Sequence, residues 1–443
     1  MHRVGPGTHQ STKQLSTAEY WKTVLPSGIR VVTESIAHVR SVSVGIWFDV
    51  GSRDEISEQS GISHFIEHMV FKGTKNYRLR QIAQSLESVG GYLNAFTSKE
   101  QTCFYARCLD RHLEKAVSVL SDMVQFPLFE PAELEKEKQV VLEELKNIED
   151  DPDDLIHDYF DKAIYGNHPL AFPVIGTVKS IMAMKRPMLI DYMRRHHTPA
   201  SMVIAAAGHI THDVMVSLIK RYFQGVPSSR HNGTVSRLRA PNRPAVPAAQ
   251  DYERPITQAH ICMGTLGLSV KHRQRYSLLV LNTLLGEGMS SRLFQNIRER
   301  YGLAYTVYSF ANTLSDTGTF GVYAGTDKKN VQNCIELIYK EMEKMKSRPV
   351  SMAELRRTKE QLKGTMMLSL ESMSSRMMRL GSGELVFGEY VPLDDIIRNI
   401  NGVTQDELTN VALKLFTTPN FSVITILPTE KQQIAEQALS VSA

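Results

Sequence analysis

The spacing of apolar and polar positions predicts alternating helices and strands along most of the chain. Between Gly61 and Gly73, Ile62, Phe65, Ile66, Met69 and Val70 recur at i, i+3, i+4, i+7 and i+8, the stripe of an amphipathic helix. Pro131–Asp150 repeats that period through Leu134, Val140, Val141, Leu145 and Ile148, with Pro131 suited to a first helical turn. Val42, Val44, Ile46 and Phe48 alternate as the buried face of a strand. Trp21–Glu34 reads as a hairpin about Pro26-Ser27-Gly28, and Tyr92–Arg107 as two strands with their turn at Ser98–Gln101. Further helices are expected over Arg80–Val89, Leu113–Val124, Leu155–Ile164, Lys185–His196 and Asp213–Phe223, with an apolar strand at Ser201–Ala207.

The pattern then starts again. His197-Thr-Pro-Ala-Ser-Met-Val-Ile204 has a counterpart in Thr417-Thr-Pro-Asn-Phe-Ser-Val-Ile424, an offset of 220, and Ala132-Glu-Leu134 has one in Ala353-Glu-Leu355, an offset of 221. Between the copies, Gly225–Gln250 is proline-rich with few aliphatics and reads as a linker whose arginines are solvated. The expected organisation is a disordered tail over 1–18, a first half over 19–228, a linker over 229–250 and a homologous second half over 251–443. The fold class is α+β: duplicated α/β halves, each a mostly antiparallel sheet with helices packed on one side, together forming a clamshell.

Chemistry sits on one face of the first helix. His64 and His68, four apart, point the same way, with Glu67 beside them. Two imidazoles so placed can share a metal ion, and the glutamate can reach a water on it, the mechanics of H-x-x-E-H hydrolysis. A zinc centre of this kind needs a third protein ligand and an open position. In Pro131–Asp150, Glu137 and Glu144 lie on the edge of the apolar stripe, whereas Glu143 points away. A carboxylate turned toward an apolar face is costly unless paired or metal-bound, which selects Glu144 as third ligand and Glu137 as its support. The second copy holds no such set: Tyr276–Leu285 stands where the first helix should recur, and Glu144 maps to Thr365.

Composition narrows the classes. Fifty-one basic and 47 acidic residues give +4, too balanced for a nucleic-acid binder, and no basic run is interleaved with aromatics. No apolar stretch approaches the ~20 residues of a membrane span. Cys103, Cys108, Cys262 and Cys334 form no CxxC pair and read as buried small hydrophobes, which suits a reducing, cytoplasmic compartment. The N-terminus lacks acids before Glu19, as a mitochondrial presequence would, but Pro6, two glycines and sparse apolar residues spoil an amphipathic helix. His168, before a proline in a turn, reads as structural.

The full spacing, H-x2-E-H-x68-E-x6-E, resembles the pitrilysin-type metallopeptidases, the inverzincins, in particular the branch of mitochondrial processing peptidase and its bacterial relatives. The resemblance implies zinc bound by His64, His68 and Glu144, Glu67 as general base and Glu137 in support. It further implies that Asn94, Ala95 and Phe96 lie on an edge strand pairing with the substrate backbone. Arg298-Glu-Arg-Tyr-Gly-Leu-Ala-Tyr305, an R-x-x-x-G-L-x-Y pattern, is similar to a segment of the family whose Arg and Tyr reach the bound peptide. The long glycine-rich loop of the noncatalytic processing-peptidase subunit is absent from Gly286–Phe294, which favours a self-sufficient catalytic chain. The function expected is a zinc metalloendopeptidase acting on short or unfolded peptides, as a homodimer or beside a related subunit, with no nucleic-acid or membrane partner. Presequence processing and general peptide scavenging both stand. The rival is a noncatalytic assembly subunit, but such members lose motif residues, and all five are present here.

Overall fold

The structure is a computed structural model that describes residues 19–224, 237–241, 249–417 and 421–429. The expected tail over 1–18 and most of the linker over 229–250 lie outside the described residues.

The first half contains β1 (Glu19–Val24), β2 (Arg30–Ser35), β3 (Ser41–Phe48), β4 (Tyr92–Thr97), β5 (Thr102–Leu109) and β6 (Met202–Gly208). They form one sheet in the order β1-β2-β6-β3-β5-β4, antiparallel except where β2 meets β6. Its helices are α1 (Ile62–Val70), α2 (Leu79–Glu87), α3 (Leu113–Gln125), α4 (Pro131–Asp150), α5 (Pro152–Tyr165), α6 (Val178–Ala183), α7 (Arg186–His196) and α8 (His212–Tyr222).

The second half repeats this plan. β7 (Ala249–Arg254), β8 (Ala259–Leu266), β9 (Ala304–Thr313), β10 (Gly318–Thr326) and β11 (Ser422–Pro428) pair as β7-β11-β8-β10-β9. β7 and β11 are parallel and the other pairs antiparallel, so each strand has a counterpart in the β2-β6-β3-β5-β4 portion of the first sheet. The helices follow suit: α9 (Arg275–Gly286), α10 (Val331–Ser347), α11 (Met352–Ser369), α12 (Met373–Phe387), α13 (Leu393–Gly402) and α14 (Gln405–Leu415). The duplication expected from two short sequence matches is a duplication of topology.

Each sheet packs its own helices on one face. Val42, Val44, Ile46 and Phe48 share a core with Ile62, Phe65 and Ile66 of α1 and Val117 and Leu120 of α3. Ile261, Met263, Phe320 and Val322 do the same with Leu281 and Leu285 of α9.

The opposite faces correct the expectation of helices on one side only. α12, from the second half, covers the far face of the first sheet, where Met377 and Leu380 meet Trp47, Val203 and Ala205. In return α5, from the first half, covers the far face of the second sheet, where Ile156 and Phe160 meet Cys262, Ile424 and Ile426. Glycines make room on both central strands. A Cβ on Gly45 of β3 would lie 2.5 Å from Met377 Sδ, and one on Gly264 of β8 would crowd Phe160 and the backbone of Phe320. The exchange also carries ion pairs on two buried carboxylates: Arg376 on Glu34 at 2.7 Å and Lys22 on Glu384 at 2.7 Å. Neither half can bury both faces of its sheet alone.

One linker fragment is ordered by charge, against the expectation of solvated arginines. Arg237 binds Asp49 at 2.9 Å and Asp54 at 2.9 Å. Beside it the buried Arg53 binds Glu100 at 2.5 Å, both oxygens of Asp316 at 2.7 and 2.8 Å, and the Leu238 carbonyl at 2.8 Å. His168 is structural, as expected: its Nδ1 accepts from the Leu170 amide, and Nε2 contacts the Leu238 carbonyl. All four cysteines are free and buried, with Cys103 and Cys108 on opposite faces of the first sheet.

Candidate metal centre

The centre is assembled where α1 crosses α4. The loop before α1 turns at Gly61, whose φ of +88° and close approach to the Ile175 carbonyl exclude a side chain. The α1 N-terminus is capped from upstream: Glu55, 3% exposed, accepts the Gly61 amide at 2.6 Å and the Ser63 amide at 2.9 Å. Burial pushes this carboxyl up to about 8, against the stabilisation of its anion by the two amides. Ile62, Phe65, Ile66, Met69 and Val70 are buried, so His64, Glu67 and His68 are turned toward α4 and β4.

From α4, Glu144 meets both histidines: Oε1 lies 3.8 Å from His64 Nε2 and Oε2 lies 3.5 Å from His68 Nε2. Among the described residues these three alone form a group of this kind, with their ligand atoms within 4.8 Å of one another. Two imidazole nitrogens and one carboxylate are a donor set that fits zinc. Burial, then the His68 charge, lowers His64 to about 4, so its imidazole is neutral and ready to ligate near pH 7.

Glu137 fits its supporting part. It is 3% exposed, 2.9 Å from His68 Nδ1 and 2.6 Å from Lys72 Nζ. Its carboxylate fixes the tautomer that leaves Nε2 free to ligate. Burial alone would raise the Glu137 pKa, but the His68 and Lys72 contacts outweigh it and lower it. For His68 burial opposes the charge, while Glu137, Glu144 and Glu67 together raise its pKa. Glu143 is exposed and paired with Lys146 at 2.6 Å, away from the cluster.

Glu67 leans to the other side, toward the edge strand. Its Oε2 accepts from Thr97 Oγ1 at 2.6 Å. Burial raises its pKa most, opposed by the Thr97 bond and the His68 charge.

Asn94, Ala95 and Phe96 lie on β4, which pairs only with β5 and leaves its other edge open among the described residues. Ala95 is buried on the α1 side, whereas Phe96 packs edge-on against Trp47 on the far face. Asn94 is exposed and bonded within its own strand to Tyr92 and the Ala95 amide.

Arg298 and Tyr305 are held together but not brought to the cluster. The guanidinium lies 4.8 Å from the Tyr305 ring, and Tyr305 is 72% exposed at the start of β9, an edge strand of the second sheet. No contact joins either side chain to His64, His68 or Glu144 among the described residues.

Three participants escaped the sequence reading: Glu55, Lys72 and Thr97. Lys72 had a signal, since it falls four residues after His68, one helical turn on and just past the end of α1. Glu55 and Thr97 act across turns and carry no local pattern.

Two sheets of one topology and an H-x-x-E-H helix facing a glutamate define an inverzincin-type fold with one candidate metal centre among the described residues. The chain belongs to peptidase family M16. Residues 30–178 match the model of the insulinase family (peptidase family M16), and residues 183–362 match that of the peptidase M16 inactive domain. It is 43% identical over 391 residues to the uncharacterized zinc protease YmxG of Bacillus subtilis, covering 88% of this chain and 94% of that protein. It is 38% identical over 407 residues to an uncharacterized zinc protease of Streptomyces coelicolor, covering 91% and 89% respectively. A crystal structure of a protease from Helicobacter pylori shares the fold, with a TM-score of 0.86 at 23% identity over 93% of this chain and all of that one. No described helix is long and apolar enough to cross a membrane.

Proposed function

We propose that the protein is a zinc endopeptidase that hydrolyses short or unfolded peptides and works as a homodimer in the cytoplasm. The observation that carries this reading is the convergence of His64, His68 and Glu144 with Glu67 alongside. The two Nε2 atoms and the Glu144 carboxylate would hold zinc, which when bound acidifies a water and polarises a peptide carbonyl. Glu67, raised by burial, takes the proton of the attacking water and later delivers it to the leaving amine. Glu137 holds His68 in its ligating tautomer. The open edge of β4 at Asn94, Ala95 and Phe96 takes the peptide as an added strand, so extended, unfolded chain is the form admitted.

Arg298 and Tyr305 supply peptide alignment and an oxyanion donor. Their exposure, and the absence of any contact with the cluster among the described residues of one chain, support their delivery by a second copy. The exchange of α5 and α12 ties the two halves of one chain together, which supports a chamber closed between two chains in place of the clamshell expected of the two halves.

Turnover of a quenched peptide, abolished by a chelator and restored by zinc, is the expected result. A zinc-loaded protein with no turnover would leave the noncatalytic reading. Tyr305→Phe and Glu67→Gln should each be impaired alone. Mixed as dimers they regain about a quarter of wild-type activity, because half the dimers are mixed and each holds one intact site of two. No recovery on mixing would sink the shared site.

A further inference from the structure

We infer that Thr97 is a positioning residue for the general base, an inference that rests on reading Glu67 as that base. β4 alternates, with Leu93 and Ala95 packed toward the α1 side and Phe96 against Trp47 on the other. Thr97 continues the α1-facing series as the last residue of the strand, where its hydroxyl donates to Glu67 Oε2 at 2.6 Å. Glu67 has no other hydrogen bond among the described residues, so Oε1 is left free for a water. A carboxylate's terminal torsion is soft, and a single donor at one oxygen sets its plane.

The donor is itself held on every side. Threonine is stiff at χ1, so a fixed backbone fixes the direction of its hydroxyl. That backbone is paired with Thr102 on β5, whose own hydroxyl donates to the Val50 carbonyl at 2.9 Å. The next two carbonyls, of Ser98 and Lys99, accept the amides of Ser52 at 3.1 Å and Arg53 at 2.8 Å. Arg53 and Glu100 are in turn bound by Asp316 and Ser315 of the second half. One rigid element therefore both offers the strand edge for a peptide and aims the carboxylate at the bond to be cut. The second half, which has no metal ligand, reaches the base through this turn.

Thr97→Val keeps the shape and the branched Cβ but removes the donor, and Thr97→Ser keeps the donor. In the zinc-loaded full chain, Thr97→Val should lower kcat by roughly 10–100-fold, with KM and zinc content unchanged. Thr97→Ser should restore most of the rate. A second readout needs no turnover. In the metal-free full chain the melting shifts of Thr97→Val and Glu67→Ala should be non-additive, the double variant melting close to the lower single one. A wild-type kcat in Thr97→Val, an equal loss in Thr97→Ser, or additive melting shifts would each overturn the inference. If wild-type protein cleaves no peptide, the endopeptidase reading fails while the melting cycle still decides the Thr97–Glu67 bond.

Discussion

The two halves share one strand order and one succession of helices, yet differ wherever the first carries chemistry. α1 presents His64, Glu67 and His68, whereas α9 in the same place buries Leu278, Leu281, Leu284 and Leu285. α4 presents Glu137 and Glu144, whereas α11 has Thr358, whose hydroxyl donates to the Glu354 carbonyl of its own helix, and Thr365. Both helix pairs still cross on their sheet. The metal ligands are thus not needed to hold the fold. The second copy keeps the strand and helix order with leucines and threonines at those positions, and it braces the first through α12.

That asymmetry is sharpest in the first copy's own glutamates and histidines. Glu67→Gln should leave zinc bound while activity falls by about 10²–10⁴-fold, and His68→Ala or Glu144→Gln should lose the metal. Metal analysis beside a peptide assay checks both; zinc loss in Glu67→Gln would void the division of roles. A smaller effect separates the helix faces: Glu137→Gln should weaken zinc by ~10–100-fold, while Glu143→Gln titrates like wild type.

The helix exchange allows a like-for-like test of the two sheets. Gly45→Ala meets side chains, the flexible end of Met377 and the edge of the Trp47 indole, but Gly264→Ala meets the Phe320 carbonyl and the Gly321 backbone. We expect Gly264→Ala to cost about 1–3 kcal/mol and Gly45→Ala clearly less, measured by urea unfolding. Equal costs would mean that the backbone at Phe320 and Gly321 yields as readily as the side chains around Gly45, and the contrast between the two docking sites would fall.

A last contrast is one of pH and again separates the copies, since His197 is matched by Thr417. His197 stacks on Phe48 at 4.2 Å with neither ring nitrogen hydrogen-bonded, and burial, then the His196 charge, lowers it to about 3. Its unfolded pKa is near 6.5, so below that pH the unfolded chain binds the proton more readily. Stability is therefore full above pH ~6.5 and is lost as pH falls toward 3, by about 1.4 kcal/mol per unit. His197→Phe should flatten that slope between pH 6 and 4 in denaturant titrations; an unchanged slope would place the acid sensitivity elsewhere.

Residues close in sequence decided much of this molecule. Periodicity alone placed α4 at Pro131–Asp150, matched β3 and α3 to within two residues, and separated Glu144 from Glu143 by helical face. The i, i+4 histidines and the seven-residue spacing of two glutamates are local geometry, so they could be read without a fold. What the tertiary structure decided is everything that depends on which surface meets which. Ile156 and Phe160 give α5 an apolar stripe that would satisfy either sheet, and only the packing shows that it crosses to the second half. Arg237 looks like linker charge until Asp49 and Asp54 are found against it. Thr97 is an ordinary strand residue until its hydroxyl meets Glu67, 30 positions away. Periodicity encodes the direction of a side chain relative to its own backbone, whereas the partner is chosen by burial and charge compensation over the whole chain, which no short window contains.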